Sequence, residues 1–145
     1  MTKEERARTR NYLYGAINLN KEIDDILMRK EILLAKVMNP SINYDHEKVQ
    51  TSGAKDTLGD ICAEIRDLEE TANGLIDDYV DAKEKIKGEI SCIDDEKYRT
   101  ILIEKYVYEK RNGDIADSND IPYKTCITRI MRGEEAFFNI HKHNI

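Results

Sequence analysis

Arg99-Thr-Ile-Leu-Ile-Glu-Lys-Tyr106, followed by Asp114-Ile-Ala116, Ile121-Pro122, Thr125-Cys-Ile127 and Arg129-Ile-Met-Arg132, decides the fold. Its apolar residues recur at helical spacing, and the polar breaks between them have helix-turn-helix lengths. Asp94 and Asp95, favourable at a helix start, precede an amphipathic helix ending near Tyr106. Asn112 and Gly113 break the chain, a short helix covers roughly 114–118, and Ser118-Asn-Asp120 form a turn. Pro122 suits the first turn of the last helix, where its missing N–H costs nothing. Ala116 allows a close helix approach, Ile121 plugs the turn, and Cys126, Ile130, Gly133 and Phe137 are expected to face inward. In such a motif the last helix enters the major groove of DNA while the preceding one crosses the backbone.

The residues left facing outward are Tyr123, Lys124, Ile127, Thr128, Arg129 and Arg132. Lys124 and Arg129 can reach guanine edges or phosphates, Thr128 a base or phosphate, and Tyr123 a backbone oxygen or a base face. With Thr125 at the start of the same helix, the candidate DNA-binding set is Tyr123, Lys124, Thr125, Thr128, Arg129 and Arg132. The plainer alternative is a three-helix packing module whose outer face is merely solvated.

Upstream, Tyr12, Ala16, Leu19, Ile23, Ile26, Lys30, Leu33 and Val37 recur at alternating steps of four and three, a heptad seam with one polar interruption at Lys30. The rhythm returns from Leu58 through Ile61, Ile65, Leu68, Ala72, Leu75, Tyr79, Ala82, Ile86, Glu89 and Ile93. Between the seams, Pro40 disfavours helix at Asn39, and Thr51-Ser-Gly53 offers cap candidates. The chain is therefore expected to be all-α. A long antiparallel helical hairpin spans 1–93, with a loop at 39–54, and a helix-turn-helix domain spans 94–145. Two helices bury little alone, so the hairpin is expected to form a homo-oligomer or to fold back on the carboxy-terminal domain.

Composition agrees with long helices. The 145 residues include 36% charged and 7% aromatic residues, and only 7 Gly and 2 Pro punctuate them. The net charge of −6 divides unevenly: residues 1–96 hold 14 basic and 22 acidic side chains, residues 97–145 hold 9 and 7. A module of net +2 beside a part of net −8 implies weak, salt-sensitive DNA binding that gains from dimerisation or a second bound protein. Cys62, Cys92 and Cys126 lack metal-type spacing and are expected as reduced, buried thiols. No apolar run approaches a signal peptide core or a membrane span, so a soluble cytoplasmic protein is expected.

Signals for chemistry are weak. His141-x-His143 lacks completing ligands and reads as a flexible tail, and His46 stands alone in the loop. Adjacent carboxylates such as Asp24-Asp25, Glu69-Glu70 and Asp77-Asp78 point about 100° apart on a helix and do not converge. No phosphate loop or nucleophile motif is present. No enzyme, cofactor or metal site is expected. Lys3, Arg6, Arg8 and Arg10 are interleaved with Glu4 and Glu5 and read as a frayed, solvated helix end rather than a DNA-touching arm.

The carboxy-terminal pattern resembles the promoter-reading fourth region of bacterial sigma factors, through Tyr106, Asp114-Ile-Ala116, Asp120-Ile-Pro122 and Thr125-Cys126. The whole chain, with its hairpin, Val49-Gln-Thr-Ser52 loop and following coiled-coil helix, is similar to the ArpU/RinA-type late-gene regulators of phages of Gram-positive bacteria. Pro122 stands where that pattern has a capping Ser, and Gly133 where it has a packing Ala. The resemblance implies an activator that binds double-stranded DNA near a promoter and helps host RNA polymerase express late genes in the bacterial cytoplasm. The alternatives are a small terminase subunit for DNA packaging and a helical adaptor or antirepressor that does not bind DNA.

Overall fold

Six helices occur in the computed structural model among the described residues, 1–38 and 54–145, and no strand occurs among them. They are α1 (Lys3–Leu13), α2 (Gly15–Met38), α3 (Ala54–Ile90), α4 (Glu96–Tyr106), α5 (Asn112–Ser118) and α6 (Tyr123–His141). The described residues are all-α, as their periodicity implies. The expected stop at Asn39-Pro40, the caps at Thr51–Gly53, the Val49–Ser52 loop and His46 lie outside the described residues. No helix among the described residues is long and apolar enough to cross a membrane.

Residues 1–19 and 78–145 group into one compact unit, and residues 20–77 into another. This grouping differs from a division at residue 93, because α1 and the end of α3 share a core with the carboxy-terminal helices. Leu13, Ile86, Ile90 and Ile93 are buried in one cluster with Leu102, Tyr106, Val107 and Phe137. A second cluster joins Ile101, Ile115, Ala116, Cys126 and Ile130, with Ile121 packed against it. Ile121 thus fills the turn before α6, and its N–H donates to Ala116 O at 3.0 Å.

The amino-terminal helix is not a frayed end. Thr2 and Glu5 form a reciprocal capping box, in which Thr2 N–H donates to Glu5 Oε2 at 2.7 Å and Glu5 N–H to Thr2 Oγ1 at 3.1 Å. Those bonds hold the exposed Glu5 carboxyl below its ordinary pKa. Thr9 and Leu13 are buried, and Arg10 Nε lies 2.9 Å from Glu134 Oε2 on α6. The first heptad seam also does not run through one helix, since the chain turns at Tyr14 between α1 and α2. The Tyr14 ring meets Tyr106 edge-on at 5.1 Å, tying the turn to the core of this unit.

In the second unit, Ile23 and Ala72 are buried, and their seam neighbours Ile26, Leu33, Ile65, Leu68 and Leu75 are half-buried. Lys30, the polar interruption of the first seam, places Nζ 3.0 Å from Glu69 Oε1. Glu89, its counterpart in the second seam, belongs to the first unit and accepts the Tyr12 hydroxyl at 2.9 Å. Off the seams, Leu27, Met28, Ile32, Leu34 and Met38 remain exposed, and so does Leu58, the first position of the second seam.

Two further expectations need correction. Cys126 is buried, but Cys62 and Cys92 are exposed. Cys62 lies one residue beyond the half-buried Ile61, and Cys92 sits in the turn between the buried Ile90 and Ile93, so neither shares its neighbour's environment. Nor is His141 part of a loose tail. It ends α6, its ring packs on Phe137 at 4.6 Å between centroids, and its Nε2 lies 2.9 Å from Glu89 O.

Candidate nucleic-acid interface

The site is built on α6, and two features of the sequence fix where that helix lies. Asp95 caps α4 by accepting the Lys97 N–H at 3.1 Å, and this helix presents Leu102 to Gly133 of α6. A Cβ on Gly133 would stand 3.1 Å from Leu102 Cγ, so the glycine permits a close approach of the two helices. The helix continues through Gly133 without interruption.

The segment before α6 is divided differently from what its residue types suggest. α5 begins at Asn112 rather than 114, so Asn112 and Gly113 form its first turn instead of a break. The break lies earlier, at Glu109, whose φ of 56° is left-handed. Arg111, extended at φ −71° and ψ 152°, is the N-cap, and Asn112 Oδ1 accepts from Lys105 Nζ at 2.9 Å. Asp120, at φ 53°, makes the turn after α5; Asp tolerates this conformation better than most residues. Pro122 is the N-cap of α6, at φ −60° and ψ 147°, just outside the first turn expected for it.

The inner face of α6 is as its sequence implies: Cys126, Ile130, Gly133 and Phe137 are buried. Burial pushes the Cys126 thiol pKa up. Glu134 is also buried, at 1% exposure, which its residue type conceals. Its two oxygens are separately partnered, Oε1 by the Tyr106 hydroxyl at 2.6 Å and Oε2 by Arg10. Burial of Tyr106 and the adjacent carboxylate push the phenol pKa well above its ordinary value, so Tyr106 stays a donor.

On the opposite side, Tyr123, Lys124, Thr128 and Arg132 are exposed, with Thr125 and Arg129 half-buried on one flank. Thr128 Oγ1 donates to Lys124 O at 3.0 Å, leaving its lone pairs free to accept. Five of the six sequence candidates, Lys124, Thr125, Thr128, Arg129 and Arg132, line one open depression of about 560 Å³ together with Lys97, Tyr98 and Pro122. Tyr123 does not line it and stands apart, 58% exposed.

Four of the eight lining residues are cationic and none is acidic. Among the described residues, Lys124, Arg129 and Arg132 have no ion-pair partner, whereas Lys97 lies 3.5 Å from Asp95. Unpaired cations converging on one concave surface raise the local concentration of polyanions. Lys97 and Tyr98 were not legible as site residues because they belong to α4, two helices earlier. Among the described residues, no group of three or more His, Cys, Asp or Glu is placed to hold a metal ion. Comparison of the chain with protein-family profiles, curated proteins and solved structures finds no match in any of the three.

Proposed function

We propose that this protein is a sequence-specific DNA-binding transcription regulator in which α5, the Asp120 turn and α6 act as a helix-turn-helix. The observation that carries this reading is the depression beside α6, which gathers Lys97, Lys124, Arg129 and Arg132 without one acidic residue. Such an array suits a phosphate backbone, and the exposed Lys124, Thr128 and Arg132 then face the base edges of a major groove. The likeness to ArpU/RinA-type regulators extends the proposal to activation of phage late genes with host RNA polymerase. The exposed apolar side chains of α2 support a homo-oligomer formed through a helical hairpin of α2 and α3.

The test is the double substitution Lys124→Ala with Arg129→Ala, measured by retardation of duplex DNA and by circular dichroism. Loss of two phosphate or base contacts should weaken binding by roughly a hundredfold while helicity is kept. Undiminished retardation by a folded double variant would remove these residues from the interface.

A further inference from the structure

We infer that Lys97 is a phosphate clamp supplied by α4, and that Asp95 holds it in reserve when DNA is absent. This rests on the DNA-binding reading above and divides the interface into a positioning part and a reading part. Three observations place Lys97 in it. Its side chain lines the same depression as Lys124, Arg129 and Arg132. Its Nζ stands 5.0 Å from the centroid of the Tyr98 ring, and Tyr98 is itself packed against the main buried cluster, giving the ammonium a fixed platform. Its ion-pair partner Asp95 is 3.5 Å away, with both side chains nearly half exposed, so the pair is weak and readily exchanged.

Asp95 has two separable roles. One oxygen, Oδ1, accepts the Lys97 N–H and caps α4. The other, Oδ2, faces the Lys97 ammonium. A phosphate entering the depression competes with Oδ2 for that ammonium and is repelled by its charge, while the capping bond is untouched. Lys97 lies on a helix other than the one with the base-facing side chains. Its contact is therefore to the backbone, independent of sequence, and adds one phosphate to the count that sets salt dependence.

The experiment titrates full-length wild type, Lys97→Ala and Asp95→Asn with a mixed-sequence 30-base-pair duplex at several salt concentrations, so that no operator need be known. Lys97→Ala should bind about five- to tenfold more weakly near 0.1 M salt and reduce the slope of log affinity against log salt by about one. Asp95→Asn retains a good N-cap and should bind about two- to fivefold more tightly, with helicity unchanged. A folded Lys97→Ala with the wild-type slope overturns the clamp. An Asp95→Asn that binds no tighter overturns the exchange. If wild type itself shows no salt-dependent binding, the DNA-binding reading falls and the clamp falls with it. Wild-type binding combined with an unaltered Lys97→Ala removes the clamp alone.

Discussion

At the scale of single residues, Glu134 shows most about how α6 is held. It is a carboxylate buried on the inner face of the helix carrying the candidate interface, and its partners come from α1 and α4. Neither partner is predictable from periodicity, because Arg10 is far away in sequence and a Glu among apolar neighbours reads as solvated. Tyr106 offers the test. Its phenol pKa is raised by burial and then by Glu134, so its stabilising contribution is complete below the unfolded value of about 10 and declines as pH rises beyond that. Between pH 8 and pH 11 wild type should therefore lose stability by up to about 1.4 kcal/mol per pH unit above 10 on this account. Tyr106→Phe should be less stable at pH 8 and show a smaller alkaline loss. Urea unfolding at the two pH values measures this, and an equal loss in both proteins would contradict the assignment.

At the scale of elements, most seam positions were legible because a heptad pattern records burial, although Leu58 is exposed and the first seam is broken at Tyr14. Tyr12, Leu19 and Ile26 are half-buried and Ala16 and Ile23 buried, as their spacing implies. The inner face of α6 was legible for the same reason. What periodicity does not record is which helix faces which. That is why periodicity shows neither the packing of α1, nor the place of Lys97 beside α6, nor the exposure of Cys62 and Cys92. Gly133 marks the point where such a pairing leaves a sequence trace, through the missing Cβ opposite Leu102. Gly133→Leu should force α4 and α6 apart and destabilise the protein by about 1–3 kcal/mol, with weakened DNA binding at temperatures where the variant is still folded. A thermal midpoint equal to that of wild type would show that the approach is not tight.

At the scale of the whole molecule, charge and apolar exposure are the grounds for the proposed second copy. The net charge is −6, so a small basic surface must act against the field of the chain that carries it. Two copies held together would double that surface, and the exposed Leu27, Met28, Ile32, Leu34 and Met38 offer apolar area for the contact. Sedimentation equilibrium should therefore give a multiple of 16.8 kDa, and Met28→Glu with Ile32→Glu should shift it toward the monomer. A wild type that sediments as a monomer would contradict the proposed assembly. The central claim, that this is a DNA-binding regulator, is tested most directly by selecting bound fragments of the source genome at about 0.1–0.15 M salt, where loose phosphate attraction is screened. The account predicts recovery of one short sequence beside an operon of late genes. Recovery of a packaging-start region would instead favour a terminase subunit, and no enrichment by the folded protein would contradict DNA binding and leave the helical adaptor.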